Sequence, residues 1–261
     1  MRKNFVLGMA LIFSCFSVIS CDPWEDENDG GGGGDDPNGP EVTMLLKEIK
    51  TMTGDTEGKV TYSFDGQQRL TKTVEYEDIT DQTSYVESIY SYPSEGKINF
   101  TEKAYSAGEL VYTNSAEFEI LSSSQIHALI QSDLVGEINS DMTYSSPCGI
   151  SKIVNTMDVG NGPETTTQTF EFFDQKCSSM EYLDGEWEQT IFNDDKFSPK
   201  GDPLKKAMGV TERNPIKYES PGNDIETITY QYNENGYPIS AMHTFSPESG
   251  EENYTETFIY Q

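Results

Sequence analysis

An aromatic, a polar residue and a second aromatic or apolar residue, followed at once by a turn, recur along this chain at a nearly fixed interval. Tyr230-Gln231-Tyr232 runs into Asn233-Glu234-Asn235-Gly236, and the pattern restarts at Ile239. Tyr62-Ser63-Phe64 precedes Asp65-Gly66 and Leu70. Tyr90-Ser91-Tyr92 precedes Pro93 and Gly96, and Phe118-Glu119-Ile120 precedes a Ser-rich turn. Met142-Thr143-Tyr144 leads to Pro147 and Gly149, Phe170-Glu171-Phe172 leads to Asp174, and Phe258-Ile259-Tyr260 is the last copy. The triplets begin at 62, 90, 118, 142, 170, 230 and 258, in steps of 28, 28, 24, 28, 60 and 28. The long step has room for a weaker copy at Thr190-Ile191-Phe192 and for an insertion at about 198–224. A fixed period of roughly 20–50 residues is the mark of a repeat architecture. Period-2 alternation broken by residues that tolerate positive φ makes the unit a β-hairpin.

Such hairpins bound the fold. One face of each strand collects Tyr, Phe, Ile and Leu; the other collects Thr, Ser, Glu and Gln. An antiparallel sheet with one wet face must cover the apolar one, and the chain has no long amphipathic helix to do so. The expectation is an all-β antiparallel meander curled into a half-barrel, a barrel or a flattened sandwich. The domain should run from 42 to 261, with its first strand at Val42–Lys50 and a short helix starting near Asp202-Pro203. Ser124–Leu134 is ambiguous: Ile126, Leu129, Ile130 and Leu134 fit a helical face, whereas the repeat register favours a strand.

Residues 1–20 read as an export leader, with Arg2 and Lys3 ahead of an apolar run from Phe5 to Ile19. Val18-Ile19-Ser20-Cys21 resembles a bacterial lipobox, which implies lipidation of Cys21. Residues 21–41 hold Glu25-Asp26-Glu27, five glycines from Gly30 to Gly34, and Asp35-Asp36-Pro37. A stretch of this composition cannot bury apolar surface and reads as a disordered tether. Acidic residues just after a lipidated cysteine resemble the surface-export signal of Bacteroidota lipoproteins, so the outer face of the outer membrane is favoured over the periplasm. Removing Arg2 and Lys3 with the leader leaves 15 basic against 45 acidic residues, a net charge of −30. That charge repels nucleic acid and anionic lipid. Membrane contact is therefore expected through the lipid anchor alone.

Chemistry is sparse. His127 and His243 are far apart and lack metal spacing, so both read as packed or edge residues, and no metal or cofactor is implied. Asp26-Glu27-Asn28-Asp29-Gly30 and Asn233-Glu234-Asn235-Gly236 lack the distal Glu of a calcium loop. Carboxylates are so numerous that a glycosidase pair is permitted but not indicated. No catalytic residue is assigned. Trp187, beside the Asp184-Gly185 turn, could form a ligand platform; the plainer reading is a cross-strand aromatic packed on the sheet. Cys148 and Cys177 are the two cysteines left after Cys15 and Cys21. Pairs across a hairpin turning at Gly160–Pro163 sum to near 323, and these two sum to 325. They should lie nearly opposite at its open end, within disulfide reach, or else pack as free thiols.

The aromatic–x–aromatic–Asp/Asn–Gly units are similar to the YD repeats of Rhs-type proteins. With the lipobox and acidic Gly-rich tether, they resemble an uncharacterised family of Bacteroidota surface lipoproteins. The resemblance covers about Val42 to Gln261 and implies architecture without an activity. The function expected is non-catalytic binding or adhesion at the cell surface, with a glycan or a protein as ligand. A surface hydrolase using a carboxylate pair, or a structural partner in an outer-membrane complex, are the alternatives.

Overall fold

The computed structural model describes residues 44–145, 148–158, 162–199, 203, 213–222, 224–247 and 249–261. Cys21 and the stretches read as leader and tether lie outside the described residues, and of the short helix expected near Asp202-Pro203 only Pro203, which is helical, is described. The elements are β1 (Leu46–Thr53), β2 (Thr56–Phe64), β3 (Leu70–Tyr76), β4 (Tyr85–Ser94), β5 (Lys97–Ser106), β6 (Glu109–Ser122), β7 (Gln125–Ser132) and β8 (Gly136–Ser145). They continue as β9 (Gly149–Asp158), β10 (Pro163–Phe172), β11 (Ser179–Leu183), β12 (Glu186–Phe197), β13 (Arg213–Ser220), β14 (Asp224–Tyr232), β15 (Pro238–Phe245) and β16 (Tyr254–Tyr260). Each strand pairs antiparallel with the next, and β1 pairs with β16 through Leu46↔Tyr260 and Ile49↔Phe258. The meander is therefore a closed sixteen-stranded barrel. Closure satisfies the backbone groups that an open sheet would leave along two edges.

The 28-residue interval is one down-and-up excursion of the wall. Residues one interval apart occupy equivalent places two strands along. Tyr62, Tyr90, Phe118, Met142 and Phe258 all point inward and are buried. The third residue of each triplet shares that face because strand side chains alternate. The equivalence extends to hydrogen bonds. Tyr92 Oη donates to the Leu70 carbonyl and Tyr260 Oη to the Pro238 carbonyl, both at 2.8 Å and both 22 residues apart.

Turn chemistry repeats as well. Asp65 Oδ1 accepts the amides of Gln67 and Arg69, Asn233 Oδ1 those of Asn235 and Tyr237, and Asp174 Oδ1 those of Lys176 and Ser178. In each turn the fourth residue takes positive φ: Gln68 at 58°, Gly236 at 80° and Cys177 at 60°. An Asx side chain that ties down two amides lets Gln and Cys hold a conformation that normally selects glycine. Near one mouth of the barrel the lumen is filled by side chains: Leu46, Ile126, Ala128 and Ile153 are at most 2% exposed. That mouth is where β1 begins and β16 ends.

One open choice resolves as the repeat register favoured, and three expectations need adjustment. Ser124–Leu134 is a strand over Gln125–Ser132, with Ile126, Ala128 and Ile130 inward, Leu129 on the outer face and Leu134 exposed in the next turn. The first strand starts at Leu46, later than Val42. The insertion is shorter than 198–224, because Arg213–Ser220 pairs in register with β12 and β14, and Asp224 already belongs to β14. The weak copy at Thr190-Ile191-Phe192 is inverted: Ile191, opposite Ser179 and Tyr218, faces in, while Thr190 and Phe192 face out. β12 carries irregularities against β11 and at two places against β13, and one extra residue exchanges the faces of a strand.

Candidate functional site

The wall sorts its residues by polarity, and the sorting locates where a ligand could act. Along β5, Lys97, Asn99, Thr101 and Lys103 face out while Ile98, Phe100, Glu102 and Ala104 face in. Along β8, Glu137, Asn139, Asp141 and Thr143 face out while Ile138, Ser140 and Met142 face in. Polar contacts bridge strands on the outside: Lys97 Nζ pairs with Glu119 at 3.2 Å and Lys72 with Glu87, and His127 Nδ1 meets Asp141 Oδ1 at 2.8 Å. A barrel that crosses a membrane carries an outward apolar band about 25 Å tall and a polar interior. Here β5 and β8 carry polar or charged residues at their outward positions along their length, and buried apolar side chains lie within. The outside of this wall is built for water.

Several of the polar groups that face inward meet one another. Asn114 Nδ2 donates to Glu102 Oε1 at 3.2 Å. Glu181 accepts from the side-chain amides of Gln168 and Gln189, and burial pushes its pKa up. His243, 4% exposed, sits between two glutamates. Its Nδ1 lies 2.5 Å from Glu226 Oε1 and its Nε2 faces Glu256 Oε2 at 3.3 Å, a charge contact longer than a good hydrogen bond. Its ring stacks on Tyr254 with centroids 4.0 Å apart. Glu226 and Glu256 thus bracket an imidazole, where a glycosidase pair would have to leave space for substrate and water. Among the described residues no group of three His, Cys, Asp or Glu could hold a metal ion.

The outer wall of β10–β12 is different. Trp187 stands opposite Tyr182. Its Nε1 donates to Thr190 Oγ1 at 3.2 Å, so the indole leans along its own strand over Thr190. Thr190 faces outward yet is only 8% exposed, while Trp187 itself is 41% exposed. The N–H is satisfied from within, and what Trp187 offers solvent is ring surface. Met180, opposite Thr190, lies beside Tyr182, whose Oη approaches Met180 Sδ at 3.6 Å. Farther along, Phe173 meets Phe192 edge-on, with centroids 5.8 Å apart, and Lys217 Nζ covers Phe192 at 5.4 Å. Phe173 is 47% exposed. The result is a strip of ring and thioether surface with Trp187 at one end and Phe173 at the other.

The two sequence-singled cysteines form a disulfide, with Cα atoms 5.1 Å apart. The route differs from the one expected. The β9–β10 register, with Pro163↔Asp158, sums to 321 instead of 323. Cys177 lies beyond β10, in the Asp174 turn, so the bridge joins the turn after β8 to the turn after β10. Phe173 directly precedes that turn. Trp187 was legible as a candidate. Phe173 and Phe192 were not, because each reads as part of an inward aromatic pattern until the register is known. His127 is an outer-wall residue and His243 an inner one, which sequence alone did not distinguish.

Neither a protein-family model nor any curated protein matches this sequence. Among solved structures, a porin-like protein from Bacteroides uniformis aligns with a TM-score of 0.54 at 12% identity, covering 83% of this chain and 96% of that one. A porin-like protein from Bacteroides vulgatus aligns at 0.40 and 6% identity, covering 84% and 99%. The first likeness extends to the fold, a meander barrel. The second is too distant to carry an argument.

Proposed function

We propose that this protein is a non-catalytic binding protein, displayed at the outer-membrane surface by lipid on Cys21, that engages its ligand on the outside of the barrel. The observation that carries this reading is the polarity of the wall. A water-facing exterior and a lumen filled near one mouth suit neither a transmembrane pore nor an enclosed reaction chamber. The leader, the lipobox-like Val18-Ile19-Ser20-Cys21 and the acidic tether support export and anchoring. A disulfide between Cys148 and Cys177 is in keeping with an oxidising compartment. The porin-like description of the Bacteroides uniformis neighbour supports an outer-membrane setting. Here the barrel would stand off the lipid on its tether, which reaches roughly 25 Å as a coil of about 20 residues. β1 enters the wall at the filled mouth, so that mouth would face the membrane and the opposite one the surroundings.

Replacing Cys21 with Ala should move the protein from the membrane to the soluble fraction, and protease added to intact cells should degrade the unsubstituted protein. Membrane retention of the Ala variant would refute the anchor. The water-facing wall has its own test. Full-length protein added to planar bilayers should give no conductance steps; steady channels would overturn the whole reading.

A further inference from the structure

We infer that the strip from Trp187 to Phe173 on the outer wall of β10–β12 is a binding site for an uncharged glycan chain lying parallel to the strands. The inference rests on the surface-binding reading above and names its ligand class. Four observations lead to it.

The first is the presentation of the rings. Trp187 has its N–H satisfied by Thr190 and is 41% exposed, so its ring surface is what remains for a ligand. Phe173 uses an edge contact to Phe192 and is 47% exposed. A pyranose carries C–H groups on its faces and hydroxyls around its rim, and it stacks on an open aromatic face. The outer wall holds a second aromatic group, Tyr76, Tyr85 and Tyr105, that fails this criterion. Tyr85 stacks on Tyr105 at 4.6 Å with 19° between planes, Tyr76 lies 5.7 Å from Tyr85, and Lys59 covers Tyr76. Those faces are spent on each other.

The second is the border. Glu171 lies opposite Met180 on one side, and Thr169 lies opposite Tyr182. On the other side Glu219 lies opposite Thr190 and pairs with Lys217. Donors and acceptors thus flank an apolar strip, where they can meet the hydroxyls around a sugar's rim.

The third is rigidity. Phe173 is anchored by its backbone N–H, which donates to the Ser178 carbonyl, by the Asp174 turn and by the Cys148–Cys177 bridge; Trp187 is held by Thr190. Groups ordered beforehand lose little entropy on binding. From the level of Tyr182 to that of Ser178 is four residues, roughly 13 Å of strand, enough for two or three sugar rings end to end.

The fourth is charge. At −30 for the mature chain, the surface repels polyanions, which leaves uncharged glycans as the favoured class.

The test is affinity electrophoresis and calorimetry on the full-length, detergent-solubilised protein, with soluble glucans, mannans and xylans as neutral probes and polygalacturonate as the polyanion. At least one neutral polysaccharide should retard the protein and polygalacturonate should not. Trp187→Ala and Phe173→Ala should each weaken binding about tenfold or more, the effect of losing one anchoring aromatic. Tyr105→Ala should leave binding unchanged. Thermal unfolding of each variant reports whether the barrel is intact, and Phe173→Leu serves if an Ala variant fails to fold. Failure of every neutral probe, or retardation by polygalacturonate alone, overturns the ligand class but leaves the surface-binding reading to capture of a protein ligand. Neutral-glycan binding that survives both strip variants overturns the site. Channel activity overturns the underlying reading instead.

Discussion

Replacing His243 with Ala is expected to lower the free energy of unfolding by about 3–5 kcal/mol, the usual cost of removing one partner from a buried charge network. The imidazole is what lets Glu226 and Glu256 share one side of the lumen, at side-chain exposures of 18% and 9%. Without it two buried carboxylates face a void, and Tyr254 loses its stacking partner. The contribution should also depend on pH. Burial disfavours the charged imidazolium, but hydrogen bonds to Glu226 and Glu256 and their charges outweigh it, so the His243 pKa is raised above its ordinary value. The folded state holds the proton more tightly than the unfolded chain. The stabilisation is therefore complete below the unfolded value of about 6.5 and is lost as pH rises through the raised folded pKa. Urea unfolding at a series of values from about pH 6 to about pH 9 checks this. The unsubstituted barrel should lose stability as pH rises above about 6.5. His243→Gln should start lower and show a flatter profile. Parallel profiles would mean that the imidazolium does not bridge the pair.

Removal of the Cys148–Cys177 bridge is expected to cost about 3–4 kcal/mol by the chain-entropy estimate, from a sequence separation of 29. For a domain of this size that corresponds to a fall in Tm of about 10 °C. The double variant Cys148→Ser/Cys177→Ser is the one to measure, since a single substitution leaves a thiol free to cross-link. The effect should be larger than entropy alone if the Asp174 turn loosens, because Cys177 holds positive φ there with no glycine to ease it. Calorimetry of oxidised and double-variant protein decides the matter. Equal melting temperatures would show that the turn holds itself and the bridge adds nothing. A lowered melting temperature with weakened glycan binding would tie the bridge to the position of Phe173.

Much of the barrel could be read from the order of residues. Hairpin pairing is local: alternation chooses the faces, and Asp65-Gly66 or Asn233 with Gly236 chooses the turn, all within a few residues of each other. The 28-residue interval followed because each excursion of the wall has nearly the same length, and it correctly put Tyr62, Tyr90, Phe118 and Phe258 on the inner face. The cysteine pair was reachable because β9 and β10 are consecutive, although the register was off by two and the bridge spans two turns instead of one hairpin. Closure was beyond this local logic. Leu46 meets Tyr260 only when all sixteen strands have accumulated enough twist and stagger to bring the ends together, and no short stretch of sequence carries that sum. The reversal of Thr190 and Phe192 was equally hidden, since a bulge is one extra residue that leaves composition untouched yet exchanges the faces of a strand. From that reversal comes the outer aromatic strip, with Phe173, Met180 and Trp187 contributed by three neighbouring strands or their ends. The Glu226–His243–Glu256 knot is of the same kind. Its members are 17 and 13 residues apart and meet because β14, β15 and β16 lie side by side in a register that only the folded wall defines.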